Sequence, residues 1–163
     1  MFRVTALLIS LAAAGAALAG PAPEKGATVA FLGIHLINTS PLPLRPEETA
    51  RKAMLEEQVR ARFAEEGLEL VDLAPVAEEL DRVANPANCY GCDVRMARKL
   101  GADYVAVGEV QKVSELILSM NLVLRETGEG RMVRGRSVDI RSNTDNSWSR
   151  GIRYILNTEI FKE

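Results

Sequence analysis

The sequence predicts a single α/β domain in which helices flank a mixed five-stranded sheet, and three observations lead to this fold class. Residues 28–37 form a nearly continuous apolar run, which is typical of a central strand buried on both faces. Helical patterns separate the first three predicted strands, so these strands should be parallel and joined by right-handed crossovers. Gly128 and Gly130 mark a tight turn before the last strand, which predicts an added antiparallel hairpin.

The residues before this domain carry the pattern of an export signal. A single arginine precedes an apolar stretch over residues 4–18, and Ala17-Leu18-Ala19 fits the small-x-small pattern of a cleavage site. We therefore expect a cleaved signal peptide over residues 1–19, a flexible leader over residues 20–27 and one α/β domain over residues 28–163.

Charge and hydropathy narrow the class of protein. The 163 residues include 20 Lys and Arg, 22 Asp and Glu and one His, for a formal net charge of −2. A slightly acidic chain lacks the positive field that nucleic-acid binding requires. No segment after the signal is long and apolar enough to cross a bilayer. We expect a soluble periplasmic protein without a transmembrane anchor after signal cleavage; its oligomeric state stays open.

The elements of the first half follow from capping residues and periodicity. Leu55, Val59 and Phe63 recur every four residues and predict a helix that begins at Pro46 and ends near Glu66. The elements predicted after this helix are a strand over 68–73, an acidic helix over 74–84, a loop over 85–92 and a helix from the N-cap Asp93 to Leu100.

The second half contains the hairpin and the last helix. Residues 103–113 are mostly apolar and predict a third buried strand. Every second residue from Leu116 to Leu124 is apolar, which indicates a strand with one exposed face, and residues 132–141 return as its partner. The C-terminal helix should bury one face, formed by Trp148, Ile152, Ile155 and Leu156.

Cys89 and Cys92 are the only cysteines, and their spacing admits three interpretations. A thioredoxin-type redox site would face a cis-proline from later in the chain, but all seven prolines precede Cys89. A zinc site would need four ligands, and besides the two cysteines the chain offers only His35. A structural disulfide is favoured, because exported proteins oxidise such pairs. It would stabilise the fold by about 2 kcal/mol.

The most unusual polar stretch runs from Asn143 to Gly151 and holds the only tryptophan. Asn143 or Thr144 can cap a helix that Trp148 anchors to the sheet. Alternatively, the stretch forms an exposed surface for a partner or a small polar ligand. The candidate binding surface comprises Arg134, Arg136, Asn143, Asp145, Trp148 and Arg150.

Motifs of catalysis do not occur along the chain. The sequence contains no nucleophile elbow, Walker loop or dinucleotide fingerprint. A Ser-His-Asp triad would have to recruit His35, which lies in an apolar strand. We therefore predict no catalytic residue, no metal site and no cofactor.

Five motifs resemble an uncharacterised family of bacterial exported proteins, a domain of unknown function, over most of the mature chain. They are Cys89-x-x-Cys92-Asp93, Ala97–Asp103, Gly108-x-Val110-x-Lys112-Val113-Ser114, Ser137–Arg141 and Asp145-x-Ser147–Gly151. More distantly, Leu100-Gly101-Ala102-Asp103 before an apolar strand, with Thr127-Gly128 at the hairpin turn, is similar to the TolB N-terminal domain and the related CsgG and LpoB envelope proteins.

These resemblances imply a fold and a kind of function. The envelope domains imply a five-stranded mixed sheet and a role in docking protein partners of the cell envelope, without catalysis. The uncharacterised family implies an association with periplasmic quinoprotein dehydrogenase systems. We therefore expect a non-catalytic accessory or partner-binding protein. The alternatives are a thiol–disulfide protein that uses the cysteine pair and a carrier of small anions that uses Arg134, Arg136 and Arg150.

Overall fold

The computed structural model describes residues 23–162, which form one α/β domain around a five-stranded mixed sheet, as predicted. The predicted signal peptide lies outside the described residues. In chain order the elements are β1 (Thr28–Asn38), α1 (Pro46–Glu65), β2 (Glu69–Leu70), α2 (Ala77–Asp81), α3 (Cys92–Lys99), β3 (Tyr104–Lys112), β4 (Ile117–Glu126), β5 (Met132–Arg141) and α4 (Asp145–Ile155).

The spatial order of the strands is β2-β1-β3-β4-β5. β1 is parallel to both of its neighbours, β2 and β3, whereas β3, β4 and β5 are antiparallel to one another. The helical connections after β1 and β2 permit the parallel pairs, and the tight turns on either side of β4 permit the antiparallel ones. The predicted combination of three parallel strands with an antiparallel addition is confirmed.

Two apolar cores lie on opposite faces of the sheet. α1 and α4 cover one face, where Phe63 and Trp148 are fully buried among the inward side chains of β1, β3, β4 and β5. The second core is smaller: Val76, Met96 and Ala97 pack against the other face of β1 and β3. The sheet therefore has helices on both faces in its parallel half and mainly α4 on one face of its hairpin.

Two elements are shorter in the structure than the sequence predicted. The second strand pairs with β1 through two residues only, Glu69 and Leu70. The acidic helix divides into a 3₁₀ turn over Ala74–Val76 and the five-residue α2. At the N-terminal side, the Gly26 amide donates a hydrogen bond to the Gly67 carbonyl over 2.7 Å, so the end of the predicted leader contacts the domain.

The prediction that Asp93 caps α3 is wrong. The N-cap lies two residues earlier than predicted: the helix begins at Cys92, and Gly91 occupies the N-cap position with a left-handed φ of 86°. Asp93 lies inside the first helical turn, where its Oδ2 is 3.3 Å from Nε of Arg125. The sharp turn at Gly91 starts the helix before Asp93. The preference of aspartate for N-caps had predicted a start after it.

Candidate partner-binding surface

β5 is the long free edge of the sheet. It has ten residues and pairs with β4 alone, whereas β2 at the opposite edge has only two. An edge strand presents unpaired N–H and C=O groups that can pair with another extended segment. Among residues 23–162, no strand covers this side of β5.

A groove lies between β5 and α4. Its cavity has a volume of about 460 Å³, and Val138 and Ile140 supply its apolar lining. Gly151 of α4 lets the helix approach the strand closely, because a Cβ at this position would be 3.0 Å from Cγ2 of Ile140. Half-exposed Tyr154 contributes an aromatic wall. The groove therefore combines an apolar floor with an adjacent strand edge.

The rim of this groove carries positive charge. Arg141 at the end of β5 and Arg150 of α4 both line the cavity and are exposed. Within residues 23–162, neither guanidinium has an ion-pair or hydrogen-bond partner. Asp139 lines the same cavity and supplies one opposing charge. The groove is thus a basic site with room for an acidic group.

The six residues of the predicted surface separate into two groups. Arg150 lines the groove, and Arg134 and Arg136 lie farther back along β5. Arg136 is paired, with its Nη1 3.4 Å from Oε1 of Glu159, and Arg134 Nη1 donates a hydrogen bond to the Val133 carbonyl over 2.9 Å. The three arginines therefore do not converge on one pocket.

The other three predicted residues stabilise the fold. Trp148 and Asn143 are buried, so their assignment to an exposed surface is wrong. Trp148 Nε1 donates a hydrogen bond to Asn143 Oδ1 over 2.9 Å, and Oδ1 of Asp145 is 2.7 Å from Nε of Arg51. The first interpretation of this stretch, a capped and anchored helix, agrees with the structure: Thr144 Oγ1 accepts a hydrogen bond from the Ser147 amide.

A buried ion-pair network, which sequence reasoning missed, lies next to Asn143. We define it as Glu48, Lys112, Glu115 and Asn143. Lys112 Nζ is 2.9 Å from Glu48 Oε1 and 2.5 Å from Glu115 Oε1, and Asn143 Nδ2 donates a hydrogen bond to Glu48 Oε1 over 2.5 Å. Glu48 and Lys112 are only 1% and 2% exposed. The one signal for this network was a lysine two residues after Val110, on the buried side of an apolar strand.

The network keeps both of its central groups charged. Burial by itself would raise the pKa of Glu48, but hydrogen bonds from Lys112, the Arg45 amide and Asn143 hold that pKa below its ordinary value. Burial would lower the pKa of Lys112, and the carboxylates of Glu115 and Glu48 raise it instead. The arrangement is therefore an ion pair between the first turn of α1 and the end of β3.

The disulfide loop, residues 89–92, lies before α3. The structure joins Cys89 and Cys92 with an S–S distance of 2.02 Å; Cys92 is buried and Cys89 is half-buried. Tyr90 has a φ of 54°, which is unusual for a side chain of its size, and it is 99% exposed. Nη1 of Arg95 donates a hydrogen bond to the Tyr90 carbonyl over 3.4 Å.

The lone histidine belongs to the sheet. His35 is partly buried in β1, where its Nε2 is 3.1 Å from the Leu32 carbonyl oxygen, and burial lowers its pKa. Among residues 23–162, no group of three or more His, Cys, Asp or Glu side chains could hold a metal ion. The same residues include no helix whose length and hydropathy would suit a membrane span.

Comparison with known proteins identifies a family and supports the fold. A sequence model of the family described as "Protein of unknown function (DUF2380)" matches residues 27–160. No curated protein matches the chain. The predicted resemblance to an uncharacterised family is confirmed.

Several solved structures share this fold. The LpoB C-terminal domain from Salmonella enterica is 15% identical with a TM-score of 0.55, over 76% of this chain and 88% of that one. Lipoprotein GNA1162 from Neisseria meningitidis is 19% identical with a TM-score of 0.51, over 81% and 98%. PelC from Paraburkholderia phytofirmans, a dodecamer, is 17% identical with a TM-score of 0.51, over 84% and 91%. At these identities the similarity concerns the fold alone.

Proposed function

We propose that the chain, which belongs to the family described as "Protein of unknown function (DUF2380)", is a non-catalytic accessory protein of the periplasm that binds an envelope or periplasmic protein. Two features support this proposal: the export pattern of residues 1–19 and a fold shared with envelope domains. The observation that carries it is the free edge of β5 beside the basic groove.

The geometry of this edge indicates how the partner binds. An extended segment can add to a free strand through main-chain hydrogen bonds, and neighbouring pockets then select its side chains. The floor formed by Val138 and Ile140 suits an apolar side chain, and the exposed Arg141 and Arg150 suit a carboxylate. The partner therefore contributes an extended segment with apolar and acidic residues, which adds a sixth strand to the sheet.

Site-specific photocrosslinking in the exporting bacterium tests this proposal. A photoreactive phenylalanine derivative replaces Tyr154, whose side chain lines the groove. We expect a discrete protein adduct that is strongly reduced by Arg141→Glu and by Arg150→Glu, because both changes repel an acidic segment. The matched control carries the same derivative in place of Glu69, an exposed residue of the opposite edge strand.

Three outcomes would contradict the proposal. The first is the absence of any adduct at position 154, and the second is the same adduct at position 69. The third is an adduct whose yield does not change when the charges of Arg141 and Arg150 are reversed. Cell fractionation must also recover the protein with periplasmic markers.

The family resemblance also suggests where the partner belongs. We expect the crosslinked protein to be part of a periplasmic quinoprotein dehydrogenase system. Mass spectrometry of the adduct tests this finer proposal. A groove-dependent adduct with an unrelated envelope protein would reject the dehydrogenase association and leave the mode of binding intact.

A carrier of small anions is a second candidate function. The unpaired guanidiniums of Arg141 and Arg150 beside a cavity of about 460 Å³ favour it, and Asp139 in the same lining opposes it. Calorimetric titration with inorganic phosphate and with succinate distinguishes the two functions. Binding of either anion that Arg150→Glu abolishes would support the carrier, whereas no heat of binding would reject it.

The thiol–disulfide function is the remaining alternative. Its test is alkylation of thiols in intact cells, which reports whether Cys89 and Cys92 are reduced at any stage of growth. We expect the pair to stay oxidised, because Cys92 is buried in the second core and Cys89 packs against it. A reduced fraction that changes with growth conditions would favour the thiol function instead.

A further inference from the structure

Five exposed aliphatic side chains lie at one end of the sheet. Leu42 and Leu44 belong to the loop between β1 and α1, Val113 and Leu116 to the turn between β3 and β4, and Ile117 is the first residue of β4. Their exposed fractions range from 40% for Leu44 to 69% for Leu116. Two exposed prolines, Pro41 and Pro43, separate and flank the leucines of the loop. We name these five side chains the aliphatic patch.

Direct contacts join the two segments into one surface. The Thr39 amide donates a hydrogen bond to the Lys112 carbonyl over 2.9 Å, and Lys112 Nζ donates one to the Pro43 carbonyl over 3.2 Å. Arg45 Nη2 is 2.9 Å from Oε2 of Glu115. The loop and the turn therefore meet at the end of β3, although about 70 residues separate them in sequence.

The buried ion-pair network contacts both segments of this surface. Lys112 and Glu48 are charged, desolvated and paired, and such a pair resists any rearrangement that would separate its members. Lys112 contacts the loop through the Pro43 carbonyl and the turn through Glu115. The loop and the turn are thus fixed with their leucines directed outward rather than into a core.

The composition of the patch favours lipid over protein. The centres of protein interfaces are enriched in aromatic residues, methionine and arginine. The aliphatic patch contains only leucine, isoleucine and valine beside prolines, which matches the chemistry of acyl chains. Exposed Arg45 follows Leu44 and pairs with Glu115, and exposed Arg141 lies opposite Ile117, so charges of both signs border the patch. Since the bordering charges are of both signs, we expect binding to zwitterionic as well as anionic headgroups.

We propose that the aliphatic patch docks the domain on the surface of a phospholipid bilayer. Leu42, Leu44 and Leu116 enter the boundary between headgroups and acyl chains, and the end of the sheet faces the membrane. The patch adjoins the groove between β5 and α4 at Arg141, but Leu42, Leu44 and Leu116 do not line that groove. The binding is reversible, since the inserted apolar surface is limited to loop side chains.

Flotation of the purified protein with phosphatidylcholine vesicles tests the proposal. We expect the protein to float with these vesicles and with vesicles that also contain phosphatidylglycerol. Leu116→Glu should lower the vesicle partition coefficient about tenfold, because burial of one leucine side chain contributes roughly one tenfold step in an equilibrium constant. The matched control is Met132→Glu, which changes another exposed apolar residue (56% against 69% for Leu116) at the far end of β5 and should bind like the wild type.

A fluorescence measurement reports the depth of insertion. In Leu42→Trp, the new indole should be quenched by lipids brominated on their acyl chains, while Trp148 stays buried and unquenched. Circular dichroism checks that each variant is folded. Arg150→Glu should leave vesicle binding unchanged, so the failure of this inference and of the proposed groove are distinguishable.

The following results would overturn the inference. The wild type could fail to float with either kind of vesicle, or Met132→Glu could reduce binding as much as Leu116→Glu. Binding to anionic vesicles alone, unaffected by Leu116→Glu, would assign the interaction to charge. Self-association that depends on Leu116 in sedimentation, without vesicle binding, would assign the patch to a second copy of the chain.

Discussion

The disulfide loop and the aliphatic patch both present apolar side chains to solvent, but they are held in different ways. A covalent bond between residues 89 and 92 closes the first within four residues. The second consists of two segments distant in sequence, joined by the charges of Glu48, Lys112 and Glu115. The comparison shows two ways in which one domain can fix exposed side chains. The disulfide acts locally, whereas the ion pairs can form only after the whole sheet has formed.

Removal of the Lys112 ammonium should have the largest effect on stability. Lys112→Leu leaves the Glu48 carboxylate buried without its cation, so the free energy of unfolding should fall by about 3–5 kcal/mol. Urea unfolding followed by circular dichroism measures the loss. The matched control is Lys99→Leu, because Lys99 pairs with Glu79 near the surface, and it should cost at most about 1 kcal/mol. Equal losses in both variants would contradict a special role for the buried network.

The same network should make stability depend on pH. The pKa of Glu48 is lowered from 4.5, so its contribution is present above that value and is lost as the pH falls through the folded-state pKa. The pKa of Lys112 is raised from 10.5, so its contribution is lost only as the pH rises above that value. The bonded cysteines do not titrate, so the disulfide itself has no part in this dependence.

Urea unfolding at neutral pH and at a pH of about 3 measures how much stability is lost on acidification. Asp103 and Glu126 also have lowered pKa values, so the wild type alone does not isolate the network. The comparison is with Glu48→Gln, which should lose less stability than the wild type on acidification. An identical acid loss in both proteins would be inconsistent with a charged Glu48.

Removal of the disulfide should have a smaller effect. The ring has four residues, so its closure contributes about 2 kcal/mol in the loop-entropy description. The double variant Cys89→Ser, Cys92→Ser should therefore stay folded in urea titrations and lose about that amount. Loss of the whole fold would show that the bond does more than fix its own loop and the start of α3.

The smallest effect should come from the tip of the disulfide loop, and its sign should be positive. Tyr90 holds a left-handed backbone at a cost of about 1–2 kcal/mol, so Tyr90→Gly should raise the free energy of unfolding by up to about 1 kcal/mol. Gly91→Ala is the opposite control, because it places a Cβ at a φ of 86° and should lower that free energy. Stabilisation by both substitutions would refute the argument from backbone conformation.

Much of the fold could be predicted because its signals are local. The apolar run of β1, the four-residue repeat of α1 and the alternation of β4 each bury the side chains that their period indicates. Thr144 and Trp148 likewise act within their own helix, as cap and anchor. The bounds of β2 were less predictable: only Glu69 and Leu70 pair with β1, although the predicted strand extends to Leu73.

The candidate surface was predictable only in part. Arg150 lies at the groove, but Asn143 turned inward because Glu48 and Trp148, from two different helices, offered it hydrogen-bond partners. Residue type alone cannot distinguish an exposed asparagine from one that is paired in the interior. Nor does the sequence indicate that Arg141 and Tyr154 share a cavity, because that depends on how α4 packs across β5.

By itself, the sequence determined the order of helices and strands, the mixed sheet, the proximity of Cys89 and Cys92 and the expectation of export. These properties depend on periodicity, capping and separations of a few residues. Only the tertiary structure decided that β5 is the free edge, that Lys112 meets Glu48 and that the leucines after β1 join those after β3. Contacts between distant segments depend on strand order and helix packing, which single positions in a sequence do not specify.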